Sequence, residues 1–459
     1  MKTQKQPDLV ITPVTWPQQA DSLRKTSTGL LHAVGWFGST HSSAMWRKAN
    51  EFLAVFQDRQ IPGFDPQLEG VWDPSFAVTE AQVMATADVI VIRLENNELL
   101  NGSLGSIAET GLALTSAALR GQFVIISIED NLITSLNEPD AIAMYMVMET
   151  ALEKLAKVDH LACYFRIHRG DDLQELAALA CDAAQQQMAA PLKSLKFSDF
   201  LAKKHKRQQR MPLRMLVGGS GGPYTKPQCT TFYAKRKLLA DSYCNDDHII
   251  KDLAAGAFAE AWSIPFDNTD NTALALAMRT LLLIELETMQ EADLLLMPIA
   301  TDVASVAPAT KIGFLLLSAL TTGQDLKIYL EPFDPIDYIQ QHLNETHIDS
   351  NPPENAMRKT LQSVGISDAA LAVAEQAEVA ETFEIIKAII TPCREKPDFK
   401  QVKKSLLGQT RILNRADNIR RVRALVQAHL EKLQADQHYR DFFSLVVGFI
   451  TPPVGNDGQ

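Results

Sequence analysis

Two apolar runs, Asp88-Val-Ile-Val-Ile92 and Gln122 to Ile128, bracket the stretch SLGSIAETGLA (Ser103–Ala113) and its continuation to Gly121. Continuous β-branched runs of this length read as strands buried on both faces. The segment between them reads as a helix closed by Gly121. A strand, a helix and a parallel strand in succession must be covered on both sides, which restricts the chain to a layered α/β fold. Glu109 stands in this helical stretch, just past a strand end, where open α/β sheets collect ligands. Two readings of it are open: a reactive carboxylate, or a capping carboxylate in the first helical turn, where the helix dipole favours negative charge.

The flanking segments extend the pattern. Leu30 to Val34 reads as a first strand, followed by Gly35-Trp36-Phe37-Gly38. Trp46, Phe52, Leu53 and Phe56 recur at roughly helical spacing between Ser43 and Asp58. Gly63-Phe64-Asp65-Pro66-Gln67 reads as a loop, and Glu80 to Ala87 as a helix feeding the Asp88 strand. Beyond Ile128, Asp140 to Val158 and Asp171 to Met188 read as helices around a short strand at Leu161 to Ile167. Lys203-Lys-His-Lys-Arg207 and Arg210 form a basic run that reads as a solvated linker.

The second half follows the same order. Leu213 to Val217 is a strand candidate ending in Gly218-Gly-Ser-Gly-Gly222, and Phe266-Asp267-Asn268 matches Phe64-Asp65-Pro66. Ala292-Asp293-Leu-Leu-Leu296 matches Ala87-Asp88-Val-Ile-Val91. Gly313 and Gly323 are spaced like Gly111 and Gly121, and the strand Leu326 to Leu330 follows. An internal duplication is expected. Lys311 stands where the first copy has Glu109, so the second copy lacks the candidate carboxylate, although Glu285 precedes Asp293 as Glu80 precedes Asp88. After Pro335 the pattern turns helical, with candidates at 356–364, 368–389 and 412–433, the last made basic by Arg415, Arg420, Arg421 and Arg423. A basic helix of this kind reads as a solvated face.

The expected organisation is an arm over residues 1–27, an active α/β domain over 28–200, a degenerate copy over 201–335 and a helical region over 336–459. The expected fold class is α/β, with two tandem flavodoxin-like domains of three αβα layers around a parallel sheet. The net charge of -11 argues against a general polyanion binder, so nucleic acid is not the expected partner. Five widely spaced cysteines with no CxxC pair predict reduced thiols in a cytoplasmic protein, not a zinc site or a disulfide framework. The N-terminal stretch has no continuous apolar segment of the kind a secretory leader carries, and no apolar run approaches the length of a bilayer span.

Two carboxylates and an amide converge in order in the first half. Glu109 and Glu80 could divide the work of glycosidic cleavage, one attacking the anomeric carbon and the other handling the proton of the leaving group. Gln67 carries donors and an acceptor suited to a base edge. These positions resemble the nucleoside 2-deoxyribosyltransferases and the related deoxynucleoside-monophosphate N-glycosidases over roughly residues 30–140. Gly35-Trp36-Phe37 is similar to their first-strand motif, and Asp65-Pro-Gln67-Leu-Glu-Gly70 to their base-recognition loop. Glu80 stands eight positions before Asp88, as an acidic residue does in the family. Gly105, Glu109, Gly111 and Ala113 match the family's nucleophile motif.

The resemblance implies a catalytic pair, Glu109 and Glu80, with Gln67, Asp65, Gly35, Trp36, Phe37, Asp88, Ser103, Gly105 and Asn137 around the substrate. Ser103 stands where the transferases usually have Asp, and Glu80 where they generally have Asp. The first-strand tyrosine of the family is absent here. The implied partners are a nucleoside or nucleotide and a free nucleobase, within an intramolecular pseudo-dimer or a homo-oligomer. The implied chemistry requires no metal and no organic cofactor. A non-catalytic nucleotide sensor is the alternative, since half of the repeat lacks the carboxylate.

Overall fold

The first strand of the computed structural model, β1, is Val34–Gly38. The structure describes residues 34–38, 45–65, 74–95, 104–132, 139–209, 214–217, 249–252, 291–299, 306–330, 421–436 and 447–449. Gly35-Trp36-Phe37 therefore lies within the strand instead of following it. Period-two alternation explains the arrangement: Trp36 enters an aromatic core with Phe52 and Phe56 on one face, while Phe37 enters the core on the other. Trp36 meets Phe52 and Phe56 edge-on, with ring centroids at 5.1 and 4.9 Å.

Helices α1 (Met45–Lys48) and α2 (Asn50–Arg59) follow, broken at Ala49, which is extended. Strand β2 (Gly63–Phe64) pairs parallel with β1, so the expected loop begins two residues later than the sequence suggests. Helix α3 (Pro74–Thr86) leads to β3 (Val89–Leu94), and α4 (Leu104–Arg120) leads to β4 (Phe123–Ile128). Helix α5 (Pro139–Leu155) and the single turn α6 (Asp159–Ala162) precede β5 (Phe165–Arg169). Helix α7 (Leu173–Ala189) starts at Asp172, whose side chain accepts from the amides of Gln174 and Glu175. The five strands are parallel in the order β2-β1-β3-β4-β5, a flavodoxin-like α/β sheet with helices on both faces.

Helix α8 (Phe197–Gln208) contains the basic run expected to be a solvated linker. It is instead docked. Lys203 Nζ donates to the carbonyl of Thr321 at 2.7 Å, and Arg207 donates to the carbonyls of Thr322 and Ala292, both at 2.8 Å. Lys204 pairs with Asp325, and Arg207 lies 3.4 Å from Asp293. Cations at a helix C-terminus meet its open carbonyls and its negative dipole end, which is why Lys203, Lys204 and Arg207 are engaged while His205 and Lys206 stay exposed. Arg207→Ala leaves these acceptors without their donor and is expected to lower unfolding stability by about 2–3 kcal/mol, measured as the urea midpoint at constant m value.

The second sheet comprises β6 (Arg214–Val217), β7 (Ile249–Asp252), β8 (Leu294–Ile299), β9 (Asp325–Leu330) and β10 (Val447–Phe449). Its order, β7-β6-β8-β9-β10, follows the chain in the same way as the first. Helix α9 (Val306–Thr322) connects β8 and β9. The purely helical reading of the chain beyond Pro335 is corrected here, because Val447–Phe449 pairs parallel with β9 and is the fifth strand of this sheet. Three residues at a sheet edge carry too little periodicity to be recognised locally. The helical expectation for 412–433 holds where it is described, over α10, residues 421–435, whereas the candidates at 356–364 and 368–389 lie outside the described residues.

The two sheets share one core through α4 and α9. Gly111 and Gly313 meet backbone to backbone: a Cβ on Gly313 would lie 2.2 Å from the Gly111 carbonyl carbon and the Leu112 nitrogen. Thr115 Oγ1 donates across this contact to the Gly313 carbonyl at 2.7 Å. The turns after these helices also correspond, with Gln122 reaching the carbonyls of Met84 and Ala87, and Gln324 that of Ala292. Among the described residues, no helix is long and apolar enough to cross a membrane.

Candidate functional site

Helix α4 begins at Leu104, so Glu109 sits in its second turn and is not an end-capping carboxylate. It is 4% exposed, and Glu80, from the middle of α3, is 5% exposed. Charged carboxylates are costly at such depth, and burial is the main cause that raises both. Glu109 is pushed up to about 7, held back by Arg47 and by a hydrogen bond from Ser106. Glu80 is raised well above the usual carboxylate range by burial and then by the negative charge of Glu109, against the opposing fields of Arg47 and Arg421. The Oε2 atom of Glu80 is buried with no hydrogen-bond partner. Two carboxylates that feel one another, one raised to near neutrality, are suited to divided acid and nucleophile roles.

Arg47 organises the rim. Its guanidinium is buried, binds Asp65 Oδ1 at 2.7 Å and donates to the Gly38 carbonyl at the end of β1 at 2.9 Å. Asp65 thus joins the same cluster, where its charge also bears on Glu80. The cluster gathers residues from the end of β1, α1, the end of β2, α3 and α4. It flanks the β1/β3 neighbourhood where the strand order reverses, the crevice in which doubly wound sheets bind ligands.

The remaining expected residues divide. Gly35 is a packing residue: a Cβ there would come within 2.9 Å of Phe37 and 3.3 Å of both Ala87 and Val83. Trp36, expected around the substrate, is a core residue, wholly buried on the face away from α3 and α4. Phe37 is buried in the core on the α3/α4 side. Asp88 is also corrected. It precedes β3, and its carbonyl accepts from the Phe123 amide at the amino edge of the sheet, about 20 Å of strand from the carboxyl edge. Gly105 lies in the first turn of α4 facing Leu425 of α10. Gln67, Ser103 and Asn137 lie outside the described residues.

Two arginines were missed by sequence reasoning. Arg47 sits in a helix of one turn, with no periodicity to mark it, and only the pairing with Asp65 reveals its role. Arg421 was taken as part of a solvated basic face, yet it is 6% exposed and its charge reaches Glu80. Among the described residues, no group of three or more His, Cys, Asp or Glu side chains is arranged to hold a metal ion. No protein-family model and no curated protein sequence matches the chain.

Proposed function

We propose that this chain cleaves the N-glycosidic bond of a 2-deoxynucleoside or its 5-phosphate, as its resemblance to the nucleoside 2-deoxyribosyltransferases and monophosphate N-glycosidases implies. The observation that carries the reading is the buried pair of Glu80 and Glu109 with unequally raised carboxyl groups. In this reading the ionised Glu109 attacks the anomeric carbon as the bond to the base breaks. The base leaves with a proton from Glu80, a role supported by its raised carboxyl and by an Oε2 with no hydrogen-bond partner. The glycosyl ester then breaks when a second base or water attacks the same carbon. Glu80, now ionised, takes the proton of that nucleophile, and Glu109 leaves as carboxylate.

We also propose that the two sheets descend from a duplication and form a pseudo-dimer. The matching strand order and the packing of Gly111 against Gly313 support this. Lys311, buried at the position corresponding to Glu109, leaves the second half without a nucleophile. One reactive site per chain is the consequence.

The test is to incubate the full chain with each deoxynucleoside and its 5-monophosphate, with and without a second free base, and to follow base release by chromatography. Release by wild type is expected, and Glu80→Gln is expected to slow it by about 10²–10⁴-fold. Binding of nucleotides with no release by any substrate would instead favour the sensor reading.

A further inference from the structure

We propose that Arg421, buried on a late helix of the chain that packs against the helix of Glu80, is a positioning residue for that carboxyl group. The proposal rests on the reading of Glu80 and Glu109 given above and extends it to a segment that lies between two strands of the other sheet.

The placement follows from how α10 lies on the first sheet's helices. Leu425 and Ala428, with Ala424 beside them, pack on Phe76, Ala77 and Ala81 of α3. Leu425 Cδ1 lies over Gly105, 3.5 Å from where a Cβ would stand, at the start of the helix that carries Glu109. Further along, Lys432 binds Gln82, and Asp436 lies 3.7 Å from Arg120 near the end of α4. Helix α10 thus runs along both carboxylate-bearing helices. Residues 421, 425, 428 and 432 share one stripe at helical spacing. Arg421 therefore lies one turn before Leu425 on the stripe that packs against α3 and α4, and it is buried there.

A buried guanidinium is costly unless it meets negative charge. The charged groups that bear on Glu80 are Glu109 from α4, Arg47 from α1, Asp65 after β2, and Arg421 from α10. Arg47 and Arg421 oppose the rise of Glu80 that Glu109 and Asp65 promote. Arg421 acts through Glu80: it sets how readily that group gives up its proton, and it makes the site depend on docking of the distal helix.

The experiment uses the full chain, as wild type, Arg421→Gln, Arg421→Lys and Leu425→Ala, with ¹³C-labelled glutamate carboxyls titrated by NMR. Glu80 is assigned by its loss in Glu80→Gln. Base release is measured over pH in parallel. Removing an opposite charge nearby is expected to raise the Glu80 titration in Arg421→Gln by about 1 unit or more. Because Glu80 works as the protonated acid, the alkaline limb of base release moves to higher pH by the same amount, and Arg421→Lys restores most of the wild-type position. Leu425→Ala, which loosens packing and keeps the charge, is expected to lower the melting temperature without reproducing the shift. Should Arg421→Gln fail to fold, Arg421→Met, which keeps the length and removes the charge, takes its place with the same upward shift expected. A Glu80 titration identical to wild type in a folded variant with a neutral residue at 421 overturns the proposal. A shifted titration with no base release from any substrate supports it while removing the enzymatic reading.

Discussion

Glu109→Gln is expected to abolish base release, a loss on the order of 10⁴-fold or more for a covalent nucleophile, while making the folded protein less sensitive to pH. The two effects share one cause. Burial holds the Glu109 carboxyl up to about 7 against an ordinary value of 4.5. The folded chain therefore keeps this proton where the unfolded chain has released it. Its contribution to stability is full below the ordinary carboxylate range and is lost as pH rises from there through about 7. That loss is on the order of 3 kcal/mol. Glutamine keeps the size and cannot ionise, so the variant is expected to be more stable than wild type at pH 8 and equal to it near pH 4. Removing the charge also relieves Glu80, whose carboxyl should fall towards its usual range. Guanidinium unfolding at a series of pH values, beside the base-release assay, reads both. A variant that is inactive and has the wild-type pH slope would mean that Glu109 is not the buried titrating group.

Gly313→Val is expected to lower stability by about 3 kcal/mol or more and to weaken the association of the two sheets. The helices α4 and α9 touch at Gly111 and Gly313 with no room for a side chain, since a Cβ at 313 would stand 2.2 Å from backbone atoms of the opposite helix. Backbone cannot yield as a flexible side chain does. The helices must separate, which breaks the Thr115 hydrogen bond to the Gly313 carbonyl and opens the core shared by Leu112, Ile312 and Phe314. Gly105→Ala is the control, because the nearest atom to its Cβ is a leucine methyl at 3.5 Å. It is expected to leave the melting temperature unchanged or slightly raised, as for alanine replacing glycine in a helix. Equal melting temperatures for Gly313→Val and wild type would show that this contact does not hold the two halves together.

Much of the first sheet is legible in the chain. The strands β3 and β4 coincide with uninterrupted apolar runs, and α4 and α7 with helical periodicity closed by Gly121 and opened by Asp172. The first strand runs on past its expected end at Val34, since Gly35-Trp36-Phe37 looks like a turn until its rings are seen to enter opposite cores, while residues 30–33 lie outside the described residues. Asp88 and Trp36 show the limit of motif reading. Each stands at a conspicuous place in the sequence, yet one lies at the far edge of the sheet and the other behind it.

What the sequence determines by itself is local: which stretches are buried on both faces, which carry helical spacing, and that two acidic residues stand on either side of an apolar strand. These follow from periodicity, which depends only on near neighbours. Only the tertiary structure decides that Glu80 and Glu109 share one desolvated cluster, that Arg47 ties Asp65 to it, and that Arg421 arrives from α10. Burial and the field of distant charges depend on which helices pack together across the whole chain, and no window along the sequence contains that information. The basic run Lys203–Arg207 illustrates the same physics, being solvated by its composition and held by the carbonyls and carboxylates that folding brings to it.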